Sequence, residues 1–247
     1  MRIAIISDIH EDFISLSAAM AAISELNIDK VFCLGDVMGF ENSYYKYEDT
    51  RTAKGCYDLL YDNSVTIVAG NHEINAIERI PRYYKEIFFP ENWYSIPKDE
   101  KIRKYEHLFF TYKNEAITDL RNNDFDKIKN LKSWEILDTE SGKISFSHFI
   151  YPDINGNLTS FFNNKSGFDL HLDWMKKNGI NISFVGHTHM EGVGVVTGKK
   201  LKINKFGLYS LGAESYIILC PAIARGRSKN GYIVFDTINR TIEAIGI

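Results

Sequence analysis

The chain has 247 residues, a formal net charge of −3 and 45% hydrophobic residues, a globular composition that excludes a disordered or collagen-like chain. The small negative charge argues against a stable nucleic-acid partner, because such proteins usually carry an excess of positive charge. Three cysteines without a C-x-x-C pair exclude a disulfide framework and a thiolate zinc cage.

The sequence pattern contains neither a signal peptide nor an apolar stretch long enough to cross a bilayer. We therefore expect a cytoplasmic protein without a membrane partner, folded as one domain over residues 1–247. The oligomeric state is left open by the sequence.

Strands and helices alternate in the first third of the chain. Three apolar, unalternated runs predict buried strands at Ile3–Ile6, Val31–Leu34 and Val65–Val68. Apolar residues recur at helical spacing from Leu16 to Leu26, with Asp12 or Ser15 as the cap, and a second helix is predicted around residues 53–61. This βαβαβ order predicts parallel strands with helices packed on the sheet.

The middle of the chain differs from the part before it. From about residue 74 to residue 141 it is rich in aromatic and charged residues, and we predict a mostly helical insert whose charges form a solvated face. The alternation then resumes with a strand at 143–149, a short helix near 168–177 and a strand at 182–185. From Gly192 onward the pattern is typical of β-hairpins, with strands at 192–196, 201–203, 215–219, 232–235 and 241–245.

Residues of the types that commonly bind metal ions follow the predicted strands. They lie at the carboxyl ends of these strands, where parallel strands form a ligand-binding crevice. These residues are Asp8, His10, Asp36, Asn71, His148, His187 and His189. Nitrogen and oxygen ligands without sulfur suit Mn, Fe or Zn. Seven candidates are too many for one tetrahedral ion, so they predict two divalent ions that share a carboxylate, an arrangement that hydrolyses phosphate esters. We assign no role to His107 or His171, which lie in charged, helical surroundings.

The order Asp8-x-His10, Gly35-Asp36, Gly70-Asn71-His72-Glu73, His148 and Gly186-His187-x-His189 resembles the calcineurin-like metallophosphoesterase superfamily. The resemblance implies an α/β fold, a four-layer α/β/β/α sandwich around a dinuclear metal site. It implies that Asp36 bridges the two ions, and that His72 is not a ligand but binds the phosphate or protonates the leaving group. The implied ligands are Asp8, His10, Asp36 and His189 for the first ion, and Asp36, Asn71, His148 and His187 for the second.

Two departures from the superfamily's motifs bear on function. Its serine/threonine protein phosphatases carry Gly-Asp-x-x-Asp-Arg-Gly, whereas Gly39 here replaces the second acidic residue, so the acidic partner of His72 is missing and Glu41 is a candidate substitute. Short bacterial and archaeal phosphodiesterase-like members have an Asn-Pro-Gly-Ser stretch, which the residues from Cys220 to Ile223 match poorly. The substrate class is therefore less well defined than the metal chemistry.

We expect a dinuclear metal-dependent phosphoesterase that hydrolyses a small phosphodiester or nucleotide through a metal-bridging hydroxide. The alternatives are a phosphomonoesterase with the same site and a non-catalytic scaffold of the same fold that binds protein. Because the insert begins beside His72, we expect it to cap the site and to admit only small phosphorylated substrates. Its aromatic residues, from Tyr83 to Tyr94, could equally form a core of the insert's own.

Positive charge is concentrated in residues 199–230, which contain seven basic residues and one acidic residue. Arg225 and Arg227 follow a predicted strand end, and we predict that they bind phosphate oxygens of the substrate. The lysines from Lys199 to Lys205 are typical of an edge strand that is kept soluble by its charges.

Overall fold

A computed structural model describes residues 1–159, 166–198 and 200–247 of the chain. Its helices are α1 (Phe13–Ser24), α2 (Ala53–Asp62), α3 (Asn71–Ala76), α4 (Lys98–Tyr105), α5 (Asn122–Ile128) and α6 (Ser166–Asn178). Its strands are β1 (Arg2–Ile6), β2 (Lys30–Cys33), β3 (Thr66–Ile67), β4 (Trp134–Thr139), β5 (Gly142–Ser147), β6 (Ile180–Val185), β7 (Val193–Thr197), β8 (Lys200–Asn204), β9 (Gly207–Ser210), β10 (Tyr216–Leu219), β11 (Gly231–Asp236) and β12 (Thr241–Gly246).

The strands form two mixed sheets. The first has the order β3-β2-β1-β11-β12-β9, in which β1, β2 and β3 are parallel as predicted and the other three strands extend the sheet antiparallel. The second has the order β4-β5-β6-β10-β7-β8, with β5, β6 and β10 parallel. The C-terminal hairpins therefore complete both sheets.

The two sheets pack face to face across an apolar core. Ile3 and Ile5 of β1 lie in this core, together with the rings of Phe32 and Phe146, which stack with their centroids 3.8 Å apart. Successive side chains of a strand point to opposite faces, so Ala4 must face the other way. This core holds the inner layers of the fold together.

Helices cover the outer faces of both sheets. Ala4 and Ile6 pack with α1 and α2 on the first sheet, while Trp174 and Met175 of α6 pack on the second sheet. The layers are thus helix, sheet, sheet, helix, which confirms the predicted α/β/β/α sandwich. No helix in the described part of the chain has the length and apolarity that a membrane span requires.

The segment from residue 74 to residue 141 contains less helix than the sequence predicts. It holds the end of α3, a 3₁₀ turn at Trp93–Ser95, α4 and α5, while β4 belongs to the second sheet. Pro81, Pro90 and Pro97 lack the backbone N–H that a continuous helix needs, and turns and loops connect the short helices. Half of the aromatic residues of this insert pack among themselves, in a core around Ile87, Phe89, Trp93 and Phe109.

The sequence pattern does not predict β4 or β9. Both are edge strands of their sheets, and both leave part of their side chains exposed to solvent. Edge strands therefore lack the continuous apolar run that identifies a strand in the middle of a sheet.

His171 of α6 is completely buried, although the charged residues Asp169 and Asp173 lie two positions from it in the sequence. Its Nδ1 accepts a hydrogen bond from the Tyr151 N–H at 2.8 Å, so its Nε2 carries the proton and donates to Ser183 Oγ at 2.9 Å. Burial lowers the pKa of His171 from 6.5 to about 3. The imidazole is therefore neutral in the folded protein at neutral pH.

This burial predicts an acid-sensitive contribution to stability. As the pH falls below the unfolded-state pKa of about 6.5, His171 binds a proton in the unfolded chain but stays neutral in the folded chain. The free energy of unfolding therefore falls until the pH reaches the folded-state pKa. Between pH 7.5 and pH 5, His171 alone should cost about 2 kcal/mol. In urea unfolding, His171→Gln should show a pH-dependent loss smaller than the wild type's by that amount. An equal loss in both proteins would show that His171 does not titrate in this way.

Candidate active site

Loops from both sheets converge beside the carboxyl ends of their parallel strands. The loop after β1 is tied to the loop after β2 by bonds from the His10 N–H and the Ile9 N–H to the Asp36 carbonyl, at 2.9 and 2.8 Å. The loops after β5 and β6 are tied by the bond from the Gly186 N–H to the His148 carbonyl, at 2.9 Å. All seven residues that the sequence predicts as metal ligands lie in these loops or at the start of α3.

Asp8, His10 and His189 form a first group of potential ligands, whose ligand atoms lie within 4.8 Å of one another. His189 Nε2 lies 3.2 Å from Asp8 Oδ1 and 3.1 Å from His10 Nε2. His10 Nδ1 donates to the Gly39 carbonyl at 2.9 Å, which leaves the lone pair of its Nε2 directed at the group.

Asp36, His148 and His187 form a second group of the same size. His148 Nε2 lies 3.1 Å from Asp36 Oδ2 and 3.1 Å from His187 Nδ1. The other nitrogen of His148 donates to the Leu34 carbonyl at 2.8 Å, which orients the ring. Each group therefore combines one carboxylate with two imidazoles.

The Asp36 carboxylate faces both groups. Its Oδ2 lies 3.1 Å from His148 Nε2 in the second group and 3.9 Å from His10 Nε2 in the first. Its Oδ1 accepts a hydrogen bond from the His72 N–H at 3.1 Å, which holds the carboxylate in place. Among the seven candidates, Asp36 thus has the position that a shared ligand needs.

The side-chain amide of Asn71 lies inside this cluster. One of its two polar atoms lies 3.2 Å from His148 Nε2, from Asp36 Oδ2 and from His187 Nδ1, and the other lies 3.2 Å from the Tyr112 hydroxyl. With its oxygen turned toward the cluster, Asn71 would add a neutral oxygen ligand to the carboxylates and imidazoles. This donor set of oxygen and imidazole nitrogen fits a divalent metal ion.

The backbone at the site is strained. Five of the seven candidate ligands have φ angles between +45° and +66°, a region that costs a non-glycine residue about 1 kcal/mol or more. These residues are Asp8, His10, Asp36, His187 and His189. Backbone strain of this kind collects at functional sites, where the surroundings enforce it.

The electrostatics of the cluster favour positive charge. Burial together with a neighbouring imidazole lowers the pKa values of His10 and His187 to about 3, so both rings have free lone pairs at neutral pH. Burial alone would raise the pKa of Asp8 and Asp36, but His189 and His148 hold those pKa values below the ordinary range. The carboxylates of Asp8 and Asp36 are therefore ionised and the rings of His10 and His187 are neutral, as metal binding requires. Burial disfavours protonation of His148, but the Asp36 carboxylate beside it outweighs burial and raises its pKa to about 9.

Glu73 connects the loops beneath the cluster, a role that the sequence does not reveal. Its buried carboxylate accepts hydrogen bonds from the N–H groups of Asp36, Val37 and Gly70, at 2.9, 2.8 and 2.8 Å. The Tyr57 hydroxyl donates to it as well, at 2.9 Å. These bonds hold the Gly-Asp and Gly-Asn-His-Glu loops together.

His72 lies at the rim of the cluster, and its acidic partner is Glu115. The Nε2 of His72 lies 4.0 Å from Asp36 Oδ2, while its Nδ1 is 3.1 Å from Glu115 Oε2. Glu41, the substitute that the sequence suggests, is instead bonded to the Ser43 hydroxyl at 2.5 Å. Glu115, and not Glu41, is therefore the residue that contacts His72 Nδ1. Glu115 belongs to no motif that the sequence analysis recognised. The sequence indicated only that position 39 lacks an acidic residue, so that a partner for His72 had to come from elsewhere.

The two arginines predicted to bind substrate have different surroundings. The Arg225 guanidinium is held by Asp12, with Nε 2.8 Å from Oδ2 and Nη2 2.9 Å from Oδ1. Since Asp12 also caps α1, this pair fastens the C-terminal loop to the first helix and occupies the Nε and Nη2 side of the guanidinium. Arg227 lies over the Tyr44 ring, 5.7 Å from its centroid, and Tyr44 borders the site.

Three of the remaining lysines of this region lie on or beside an edge strand. Lys200 and Lys202 belong to β8, which is an edge strand, and they are exposed together with Lys205. This placement fits the prediction of a charged, soluble edge. Lys199 lies outside the residues that the structure describes.

A cavity of about 240 Å³ opens onto the cluster. Aromatic side chains form part of its wall: Tyr44 and Tyr45 on one side, and Phe110 from the insert. The Phe110 ring meets the His187 ring edge-on, with their centroids 5.6 Å apart. The insert thus reaches the site through Phe110, Tyr112 and Glu115, while the aromatic residues Tyr84, Phe89, Trp93 and Tyr94 pack in the insert's own core.

The chain belongs to the calcineurin-like phosphoesterase family, whose model matches residues 1–191. An uncharacterized protein of Methanocaldococcus jannaschii, MJ0912, is 26% identical over 250 residues, which cover 99% of this chain and 86% of that protein. A metallophosphoesterase from Sphaerobacter thermophilus has a similar structure, with a TM-score of 0.67 and 17% identity over 100% of this chain and 88% of that one. The hypothetical protein PH1004 from Pyrococcus horikoshii is similar with a TM-score of 0.61 and 15% identity, over 100% of this chain and 87% of that one. At these identities the two structures show a common fold.

Proposed function

We propose that the protein is a dinuclear metal-dependent phosphoesterase that hydrolyses a small phosphodiester or nucleotide. The observation that carries this proposal is the pair of ligand groups that share the Asp36 carboxylate. Membership of a phosphoesterase family supports the reaction class. Paired ions about 3.5–4 Å apart are a recurrent arrangement for cleaving phosphate esters.

Each group would hold one divalent ion, Mn, Fe or Zn. Asp8, His10, Asp36 and His189 would hold the first ion, and Asp36, Asn71, His148 and His187 would hold the second. When bound, the ions supply a water of lowered pKa and neutralise charge on the phosphoryl oxygens. The outer bonds from His10 to Gly39 and from His148 to Leu34 keep the rings oriented for this task.

His72 is the proposed catalytic residue. Its Nε2 faces the cavity beside Asp36, and its Nδ1 is fixed by Glu115. Burial disfavours protonation of this ring, but the carboxylates of Glu115 and Asp36 outweigh burial and raise its pKa to about 10. A protonated Nε2 can bind a phosphate oxygen and deliver its proton to the leaving oxygen.

The surroundings of the cluster support a small substrate. A volume of about 240 Å³ accommodates a phosphate group and a modest substituent, and the aromatic rings of Tyr44 and Phe110 provide flat apolar surface. Of the two arginines predicted to bind substrate phosphate, Arg227 contacts a residue of the cavity wall, because it lies above the Tyr44 ring. A nucleotide or small diester meets all of these features.

Two alternatives are weaker. A phosphomonoesterase would use the same cluster, and only substrate preference separates it from a diesterase. A non-catalytic scaffold is expected to have lost ligands or the catalytic histidine, whereas here all seven candidate ligands and His72 are in place. The buried, unpaired Cys33, Cys56 and Cys220 accord with the proposed location in the cytoplasm.

A substrate panel tests the proposal. The Mn-loaded protein should hydrolyse members of a set of bis-aryl phosphates, nucleotides, cyclic nucleotides and dinucleoside polyphosphates faster than aryl monoesters, and chelation should abolish turnover. Preference for monoesters would support the phosphomonoesterase. A protein that binds metal but hydrolyses no member of the panel would contradict the proposed function.

A further inference from the structure

We propose that Glu115 is the positioning residue for His72, so that the insert supplies the acidic partner that the Gly-Asp motif lacks. This inference rests on the proposed function, because it assigns a task to Glu115 only through the histidine. The carboxylate holds the proton on Nδ1 and turns Nε2 toward the reacting phosphate.

The contact is direct and sheltered. Glu115 Oε2 lies 3.1 Å from His72 Nδ1, and each side chain is 15% exposed. Because a carboxylate can only accept, Nδ1 must be the donor, which fixes the tautomer. A hydrogen bond to an ionised, largely desolvated acceptor is stronger than a neutral one.

Gly39 makes room for this arrangement. Its φ is +95°, and a Cβ built at this position would collide with the imidazole of His72. The ring therefore lies against the backbone at the place where an acidic side chain at position 39 would begin. An acidic partner must consequently approach His72 from a different element.

The segment that carries Glu115 is anchored on both sides of the contact. The Ala116 N–H donates to the Phe40 carbonyl at 2.8 Å, and residues 41 and 115 form an antiparallel bridge. The Tyr112 hydroxyl donates to the Asn71 carbonyl at 3.1 Å, and the Tyr112 ring meets the His72 ring edge-on. The Glu115 backbone is thus fixed to both loops that flank the histidine.

Orientation of an imidazole by a carboxylate contributes to catalysis through the histidine's tautomer and its geometry. Losing Glu115 should therefore slow the step that His72 assists and leave the metal ions untouched. The effect should grow with the basicity of the leaving group, since poor leaving groups depend most on a delivered proton.

The test compares Glu115→Gln with Glu106→Gln, which removes an exposed carboxylate of the same insert that pairs with Lys113. For a substrate with an alkyl leaving group, Glu115→Gln should lower kcat by about 10- to 100-fold, with a much smaller loss for an activated aryl group and unchanged metal content. Glu106→Gln should match the wild type in kcat for both substrates and in metal content. Equal losses for both leaving groups together with loss of metal would show a merely structural role and overturn the proposal.

A second measurement does not depend on activity. In the metal-free protein labelled with ¹⁵N-histidine, the His72 Nδ1 proton, assigned by its absence in His72→Ala, should be observed in the wild type and in Glu106→Gln. It should be lost or strongly shifted in Glu115→Gln. Identical His72 signals in all three proteins would overturn the inference. If the signal depends on Glu115 but no substrate is hydrolysed, the positioning contact stands and the proposed function fails.

Discussion

Asp36→Asn is expected to abolish measurable phosphoesterase activity and to cause loss of the bound metal ions. The substitution keeps an oxygen that can accept from the His72 N–H, but it removes one of the two carboxylate charges among the seven candidate ligands, and that charge faces both ligand groups. Losing an outer partner of a metal ligand costs about 10- to 100-fold in affinity, so loss of a shared ligand should exceed this range. Metal content after equilibration with Mn, together with kcat on the best substrate of the panel, measures both effects.

The matched control for this variant is Asp58→Asn. Asp58 lies on α2 and pairs with Lys54 at the surface, so its removal should change neither metal content nor turnover. If Asp36→Asn retained both ions and lost only turnover, Asp36 would not be the shared ligand.

His72→Ala is expected to lower turnover by about 10²- to 10⁴-fold while both metal ions stay bound. The metal ions should stay because His72 lies at the rim of the cluster. Its Nδ1 is hydrogen-bonded to Glu115, and its Nε2 is the nitrogen that can contact the substrate. The loss should be larger for an alkyl than for an aryl leaving group. His107→Ala serves as the control, because His107 is an exposed histidine of the same insert.

The alternative for His72 is a direct role in metal binding. His72, His10 and Asp36 place ligand atoms within 4.8 Å of one another, so the geometry permits a third grouping. Metal loss in His72→Ala equal to that in Asp36→Asn would establish this role and remove His72 from proton transfer.

The candidate ligands could be predicted from sequence because each lies shortly after a strand, and in most cases that strand is short and apolar. The end of each strand fixes where the ligand lies, and the parallel order of the strands brings these ends to the same edge of the sheet. The residue types, Asp, Asn and His, indicate metal binding. Asp8 and His10 after β1, and His187 and His189 after β6, show this most clearly. What these local patterns could not reveal is the strained backbone that turns the side chains inward.

Contacts between distant residues escaped prediction. Glu115 meets His72 across 43 positions, and Arg225 meets Asp12 across 213 positions, so no local spacing signals either pair. His171 looked like a surface residue because its neighbours are charged, yet α6 turns it onto the second sheet. The insert looked helical because its charges and apolar residues suit helices, while its prolines and its own small core keep the helices short.

The most direct test of the central claim is to locate metal ions in crystals of the protein grown with saturating Mn²⁺. The account predicts two anomalous peaks about 3.5–4 Å apart. One should be bound by Asp8, His10 and His189 and the other by Asn71, His148 and His187, with Asp36 on both. A single peak at full occupancy in the folded protein, or two peaks without Asp36 between them, would contradict the dinuclear site.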